Sequence, residues 1–342
     1  MSFHQWSGAA LLLLSSMAAS AGTVTINLYA GNPKNDAANK VVGTVTIATG
    51  PPTSSIAFNI TKSGYCLTGY HIYVGSQPPN TSAPGQYPYK KTLPCVTSHT
   101  VTPAINIPVG YYVAVHGEVN YGCEASPLPS SPVTMCSTGF KTDNAYIDKL
   151  VLNPPLPGTA QYEAWCAARG IFLPSGNIFL CATPYTAAVY SSLVTPPGGW
   201  GALLNVVNPN WKAISYLLSK IDTPGYMVPG NYSTCDIQNA IWALEGFSIA
   251  PTSCTQNYDS VKTAALVAEA IANAPVLGCV PGKKAAVVLI PKQGNDIFQP
   301  VLYGATCKCK DDTIWAIPGL LNTPAYSFVG FKTGWGGYFL MP

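Results

Sequence analysis

The sequence is poor in charged residues. Only 9% of its 342 residues are Asp, Glu, Lys or Arg, whereas soluble domains average about 25%. The formal net charge is +3, and no basic cluster is interleaved with aromatic side chains, the densest groupings being pairs such as Lys90 and Lys91. A nucleic-acid-binding surface needs a denser basic patch. We therefore expect no nucleic-acid partner.

Histidine is scarce, which limits metal chemistry. The spacing of the four histidines matches none of the zinc-ligand patterns. Among the cysteines, only Cys307 and Cys309 are closely spaced. We expect no metal and no cofactor.

A hydrolase is the enzymatic alternative. A thiol nucleophile at Cys166 would need a nearby base, but no histidine lies in its segment, and the chain contains no G-x-S-x-G motif. Glu118 and Glu124 are close in sequence but are expected on a strand end and in a loop, so they make an unconvincing acid/base pair. We expect a protein that is not a turnover enzyme.

Long apolar runs are absent after the N-terminus. The longest buried-strand candidate, "AAVVLI" at 285–290, has six residues, far fewer than the roughly 20 that cross a bilayer as a helix. Residues 1–21 combine an apolar stretch with a terminal Ala19-Ser20-Ala21, which predicts a signal peptide even though the segment lacks Lys and Arg. We expect a secreted or cell-surface protein without a membrane span.

The abundant residues suit an extracellular surface. Gly and Pro number 31 each and Tyr 20, so the polar surface is neutral and rich in hydroxyls, as in an extracellular matrix or coat. Asn59, Asn80 and Asn231 begin Asn-x-Ser/Thr sequons and are glycosylation candidates. A chain this rich in Asn, Ser and Thr also acquires sequons by chance.

Eleven cysteines are an odd number. In an exported protein they are expected to form disulfides, which leaves at least one sulfur for another purpose. Plausible local bridges are Cys66 to Cys95, Cys123 to Cys136 and Cys235 to Cys254, although spacing alone does not fix the connectivity.

The chain divides into segments of different character. Residues 22–122 read as short strands between Gly, Pro and Asn turns, which predicts an antiparallel β-sandwich. Residues 123–144 form a Pro/Ser connector, residues 145–305 an α+β unit, and residues 306–342 a C-terminal strand that returns to the sandwich. The fold class is therefore mainly β with an α+β part, which would be inserted before the last sandwich strand.

Three helices are predicted inside the α+β unit. Residues 208–221 place apolar side chains on one face at a 3.6-residue period, and 259–274 are Ala-rich up to Pro275. Between them, "STCDIQNAIWALEGF" at 233–247 begins with Ser233 and Asp236 at the spacing of a capping box.

Two motifs carry a resemblance to a known family. "EAWCAARGIFLP" places Cys166 directly after Trp165, and "DIQNAIW" places Gln238 four residues before Trp242. Together they resemble the signature motifs of thioester domains, adhesive modules of bacterial surface proteins, over about residues 145–305. One departure is Trp165, because many members have Tyr or Phe before the cysteine. Residues 22–122 more loosely resemble a β-sandwich module of secreted proteins, through patterns such as "LTGYHIYVG" and "GYYVAVHGEV".

The resemblance implies a covalent bond between the sulfur of Cys166 and the side-chain carbonyl of Gln238, shielded by Trp165 and Trp242. Such a thioester would acylate an amine or hydroxyl on an extracellular protein or glycan surface, once per molecule. With Cys166 assigned to this bond, ten cysteines remain as disulfide candidates: Cys66, Cys95, Cys123, Cys136, Cys181, Cys235, Cys254, Cys279, Cys307 and Cys309.

The alternative is a coat, structural or carbohydrate-binding protein with the same fold and no thioester. The "AIW" stretch is equally typical of a helix that packs in a core. A cysteine left over from intramolecular pairing can also form a disulfide with a second chain. The many tyrosines fit contacts to sugar or protein equally well. The sequence indicates no particular oligomeric state.

Overall fold

The structure is a computed structural model of the chain. It describes residues 22–32, 37–49, 54–102, 104–126, 128, 131–137, 140–141, 146–154, 162–168, 181, 184–204, 208–221, 223, 226, 231–248, 254, 257–293, 296–318, 328–331 and 336–341. The predicted signal peptide, residues 1–21, lies outside these ranges.

Strands dominate the described residues. In chain order they are β1 (Gly22–Ala30), β2 (Val41–Thr49), β3 (Ser55–Ile60), β4 (Tyr65–Gly75), β5 (Tyr89–Val96), β6 (Ser98–Thr100), β7 (Tyr112–Ala125), β8 (Val133–Ser137), β9 (Phe140–Lys141), β10 (Tyr146–Asn153), β11 (Tyr162–Cys166), β12 (Tyr185–Ser191), β13 (Lys284–Gln293), β14 (Asp296–Ile297), β15 (Val301–Ala316), β16 (Phe328–Gly330) and β17 (Gly337–Leu340). The helices are α1 (Ala37–Lys40), α2 (Gly199–Leu204), α3 (Trp211–Ile221), α4 (Thr234–Glu245) and α5 (Ser260–Ala272), and Pro84–Gln86 form a 3-10 turn.

The first sheet is antiparallel, as predicted for residues 22–122. Strands β1, β2 and β3 pair in sequence, β3 continues to β6, and β4 lies between β5 and β7. Alternate residues of β1, namely Val24, Ile26 and Leu28, are buried in one apolar core with the inward residues of the other strands. Period-2 alternation gives each strand one core face and one outer face.

The second unit is a closed antiparallel barrel of six strands. Its strands pair in the cyclic order β8, β10, β11, β15, β13 and β12, and β12 returns to β8. Closure leaves no free edge in the ring. The predicted fold class, mainly β with an α+β part, is confirmed.

Helices α3, α4 and α5 cover one side of the barrel and share an apolar cluster with it. The predicted helices at 208–221, 233–247 and 259–274 correspond to these three elements. Two serines of α3 fix it to β13: the hydroxyl of Ser215 accepts from the Ala286 N–H at 3.1 Å, and that of Ser219 accepts from the Lys284 N–H at 2.8 Å.

Strand β15 belongs to both units. Its first part pairs with β11 and β13 in the barrel, and the part from Cys307 onwards pairs with β7 and β1 in the first sheet. The hairpin of β16 and β17 also lies against β7. The barrel elements therefore occur in sequence between strands of the first sheet, the arrangement predicted for an insertion. The boundaries differ from those predicted, since barrel strand β8 lies within residues 123–144, which were assigned to the connector. The many Pro and Ser residues of this segment made its short run of alternating apolar and polar residues hard to recognise as a strand.

All eleven cysteines lie in the described residues, and ten form five disulfides. The bridges are Cys66–Cys95, Cys123–Cys309, Cys136–Cys181, Cys235–Cys254 and Cys279–Cys307. Cys166 is the remaining, free thiol. Five disulfides fit an extracellular protein.

The predicted bridge from Cys123 to Cys136 is wrong. Cys123 lies on β7 opposite Cys309 of β15, at an irregularity in the register of that strand pair. The two cysteines are 186 residues apart, so the pairing depends on a long-range strand contact that local spacing does not reveal. The sulfurs of this bridge and of Cys279–Cys307 all lie within 4.8 Å of one another.

Two of the three sequons lie at the surface. Asn59 and Asn80 are exposed, whereas Asn231 is half-buried and its side-chain N–H donates to the Tyr226 carbonyl at 2.9 Å. Glycosylation at these positions stays a prediction. Within the described ranges, no helix combines the length and hydrophobicity needed to cross a membrane.

We predict that Gly43→Ala destabilises the first sheet. Gly43 is buried in β2, and an added Cβ would lie 2.8 Å from the Ile60 Cα and closer still to the Asn59 carbonyl oxygen, both of them backbone atoms of the paired strand. Forced overpacking of this kind costs about 1–3 kcal/mol. Chemical denaturation should show this loss for Gly43→Ala and almost none for Gly85→Ala, whose added Cβ meets nothing within 4 Å. Equal stabilities would contradict the packing described for β2 and β3.

Candidate functional site

Cys166 is the last residue of β11, at an end of the barrel that is held firmly. Its neighbour Ala167 donates its N–H to the Pro300 carbonyl at 2.8 Å. The buried side chain of Gln299 donates to the carbonyls of Ala168 and Pro300. These bonds continue the β11–β15 pairing beyond the strand and fix the backbone on both sides of the thiol.

Helix α4 carries Gln238 and is capped at both ends. The Ser233 hydroxyl accepts from the Asp236 N–H at 3.0 Å and the Asp236 carboxylate accepts from the Ser233 N–H at 2.8 Å, which is the predicted capping box. The other oxygen of Asp236 accepts from the Asp259 N–H at 2.7 Å, and Asp259 caps α5. Gly246 ends α4 in the left-handed conformation, with φ 104°. The position of Gln238 is therefore set by a helix tied to its neighbour.

The side-chain amide of Gln238 makes two hydrogen bonds to the backbone of Cys166. The Cys166 N–H donates to Oε1 at 2.9 Å, and Nε2 donates to the Cys166 carbonyl at 2.9 Å. Both partners are backbone groups of known polarity, so the amide fits in one orientation only. Gln238 is 0% exposed and Cys166 5%. The backbone of Cys166 and the side-chain amide of Gln238 thus lie against each other in a site closed to bulk water.

An apolar cluster surrounds the thiol. It contains Cys166, Trp242 and the disulfide Cys235–Cys254, and the rings of Phe247 and Tyr258 pack against it. The side-chain N–H groups of Asn239 hold the disulfide in place by donating to the carbonyls of Cys235 at 2.8 Å and Cys254 at 3.2 Å. Such an enclosure excludes water and strengthens electrostatic interactions inside it.

The structure brings three of the four predicted site residues together. Cys166, Gln238 and Trp242 lie at one place, as the two motifs indicated. Trp165 is also buried, but it belongs to the neighbouring cluster between the barrel and the helices, together with Ile237 and Ile241. Successive residues of a strand point to opposite faces, which places Trp165 and Cys166 in different clusters.

Glu245 is the one charged residue of this region that the sequence interpretation missed. It ends α4, seven residues after Gln238, and is 1% exposed. In the described part of the protein, neither of its carboxyl oxygens has a hydrogen-bond partner. The available sequence signal is the helical spacing, since residues i, i+4 and i+7 share a face and here are Gln238, Trp242 and Glu245.

Burial dominates the electrostatics of the site. Desolvation, with a smaller contribution from the nearby Glu245 charge, raises the pKa of Cys166 to about 12. Desolvation also raises the pKa of Glu245 well above its ordinary value of 4.5. Both effects follow because a low-dielectric environment disfavours the charged form of each group. The site therefore favours a neutral thiol and a neutral carboxylic acid.

We predict that Glu245→Gln removes a pH dependence of stability. The folded protein keeps the Glu245 proton to a higher pH than the unfolded chain, so the free energy of unfolding falls as the pH rises above 4.5 through the raised pKa. Gln stays neutral, so the free energy of unfolding of the variant, relative to that of the parent protein, should increase as the pH rises through this window. Denaturation at several pH values measures this. The control Glu163→Gln removes an exposed carboxylate of β11; a parallel pH trend in Glu245→Gln and the parent would contradict burial of the carboxyl.

Comparisons of the chain with protein-family models, with curated proteins and with solved structures found no match. We therefore infer the function from the geometry of Cys166, Gln238 and their surroundings.

Proposed function

We propose that Cys166 and Gln238 form an internal thioester and that the protein uses it to attach itself covalently to an extracellular surface. The observation that carries this proposal is the pair of hydrogen bonds between the Gln238 amide and the Cys166 backbone, next to the one cysteine without a disulfide partner. The resemblance of the two motifs to thioester domains supports the same pair of residues.

The bond forms by acyl transfer within the protein. The sulfur of Cys166 adds to Cδ of Gln238, the C–N bond breaks, and the former thiol proton leaves with the amide nitrogen as ammonia. An amide is a poor electrophile, so the reaction needs the reacting groups held in an attack geometry. The Cys166 N–H, 2.9 Å from Oε1, is placed to stabilise the negative charge that develops on this oxygen.

The product is an acyl donor for single use. A primary amine or hydroxyl of a target attacks Cδ of Gln238, a new amide or ester bond forms, and the Cys166 thiol is released. The protein is then joined to its target through Gln238. Turnover is not part of this chemistry, because the acyl group comes from the protein itself.

The disulfides and the surface composition of the protein are consistent with covalent attachment to an extracellular target. The five disulfides are typical of an oxidising, extracellular environment. The few charges and many tyrosines suit contact with a protein or glycan surface. We infer that the target is an extracellular protein or glycan that presents amines or hydroxyls.

We predict that the purified protein is lighter than its disulfide-bonded sequence by the mass of one ammonia. Incubation with methylamine should add one methylamine at Gln238 and release one titratable thiol at Cys166. Intact-mass spectrometry and peptide mapping measure both changes. Cys166→Ala and Gln238→Leu should each lack the deficit and the uptake while keeping all five disulfides.

The opposite result would indicate the alternative function. A parent protein with the full sequence mass, a permanently free thiol and no amine uptake would overturn the thioester. The same fold would then serve as a non-reactive coat or carbohydrate-binding protein.

We predict that Trp242→Ala shortens the lifetime of the thioester. Trp242 is buried in the cluster that contains Cys166, so its removal should admit water to the bond. Mass spectrometry over time should show faster hydrolysis, seen as a gain of one water, than in the parent protein. Tyr89→Ala is the control, because Tyr89 is an exposed aromatic residue of the first sheet. Equal hydrolysis rates in Trp242→Ala and the parent would show that this ring does not shield the bond.

A further inference from the structure

A pair of histidines lies on the first sheet, on the face that points away from the core formed by Ile72 and Val115. His71 of β4 and His116 of β7 are direct register partners, and the side chains of such a pair stand on the same face. Their Nδ1 atoms are 3.3 Å apart. The two residues are separated by 45 positions in the sequence, so the pairing of β4 with β7 is what brings the rings together.

A carboxylate lies beside the two rings. Glu118 follows His116 by two residues on β7 and therefore points to the same face. Its Oε1 is 3.8 Å from Nδ1 of His71. Gly69 is the register partner of Glu118, and a Cβ at Gly69 would lie 2.8 Å from Oε2 of Glu118. Because Gly69 has no side chain, the carboxylate has room to lie across β4 next to His71.

The three side chains differ in how firmly they are held. His116 is 6% exposed, and its ring packs edge-on against Trp315 of β15, with 4.8 Å between the ring centroids. The side chains of His71 and Glu118 are 18% and 48% exposed. The cluster therefore combines one fixed imidazole with a second imidazole and a carboxylate that solvent reaches.

The charges of the cluster suit a cation. Burial, together with the neighbouring His71, lowers the pKa of His116 to about 3, so this ring is neutral at physiological pH and keeps a nitrogen lone pair for a ligand. Lys90, the register partner of His71 on β5, donates from its Nζ to the Gly85 carbonyl at 3.0 Å. Glu118 adds a carboxylate, the negative group of the set.

The separation of the two nitrogens fits metal coordination. Zn²⁺ binds imidazole nitrogen at about 2.0–2.1 Å, so two such ligands of a tetrahedral ion lie about 3.3 Å apart. The Nδ1 atoms of His71 and His116 have this separation, 3.3 Å. A hydrogen bond between the rings would use the same contact with one proton, although most protein hydrogen bonds from N–H span roughly 2.7–3.2 Å. A bound ion would take the place of that proton.

We propose that His71, His116 and Glu118 form a binding site for one Zn²⁺ ion. The two Nδ1 atoms bind the ion, and the Glu118 carboxylate turns towards it as the third ligand. Two imidazoles and one carboxylate are an established donor set for zinc, and three protein ligands leave the fourth position to water or to a group of another molecule. The spacing patterns of zinc ligands along a chain do not contain this set, because its members come from two paired strands.

Zinc titration of the mature, oxidised protein without a histidine tag tests the site. After treatment with EDTA, isothermal titration calorimetry should show one Zn²⁺ bound per molecule. His71→Ala should weaken the binding by at least roughly 10–100-fold, the loss that follows even from changes to groups around a metal ligand. Glu118→Gln should weaken it less, because an amide oxygen remains. Glu124→Gln is the matched control, since it removes an exposed carboxylate further along β7 and should bind like the parent.

Copper gives a readout that needs no variant. Cu²⁺ accepts the same imidazole ligands, and the electron paramagnetic resonance spectrum of the parent with one equivalent of Cu²⁺ should show coupling to two imidazole nitrogens. A spectrum without nitrogen coupling would overturn the site. Zinc affinity that is the same in a folded His71→Ala variant and in the parent would also overturn it.

The metal site and the thioester are tested separately, because they share no residue. Cys166→Ala removes the proposed thioester and should bind Zn²⁺ like the parent, whereas His71→Ala should keep the uptake of methylamine. Loss of zinc binding in Cys166→Ala would place the ion at the thiol and contradict the histidine site. A parent that binds Zn²⁺ but takes up no methylamine would end the thioester proposal and support the metal site.

Discussion

The site depends on one interaction, the paired hydrogen bonds between the Gln238 amide and the Cys166 backbone. In an extended strand the N–H and C=O of one residue point to the same side, so a primary amide satisfies both at once, as a neighbouring strand would. The pairing joins helix α4 to barrel strand β11. Any change that moves α4 relative to the barrel would break both of these hydrogen bonds.

The elements around this pair maintain its geometry from several directions. Asp236 caps α4 and also binds the start of α5, so the two helices hold each other in place. Gln299 fixes the chain just after Cys166. The disulfide Cys235–Cys254 and the side chain of Asn239 join Cys254 to the first turn of α4. Because these contacts fix the orientation of the two groups in advance, the proposed reaction between them would not lose the orientational entropy that a bimolecular reaction loses.

Local patterns in the sequence predicted helices α3, α4 and α5 and indicated the two segments that meet at the candidate site, whereas long-range contacts were not predictable. The period of apolar residues indicated α3, and the spacing of Ser233 and Asp236 indicated the start of α4. The Cys123–Cys309 bridge was missed because it requires the pairing of β7 with β15. Glu245 was missed because a carboxylate in the last turn of a helix is normally exposed. Its burial follows from the packing of α4 against the barrel and α5, which no local pattern encodes.

In the proposed thioester, burial of Cys166 and Gln238 would protect the bond from water and would also limit access to it. On one side the barrel and helices α3 and α5 form a deep apolar core. On the other side, Phe247 and Tyr258, which pack against the Cys166 cluster, are only partly buried. We therefore expect a target of the proposed thioester to approach from the side of Phe247 and Tyr258.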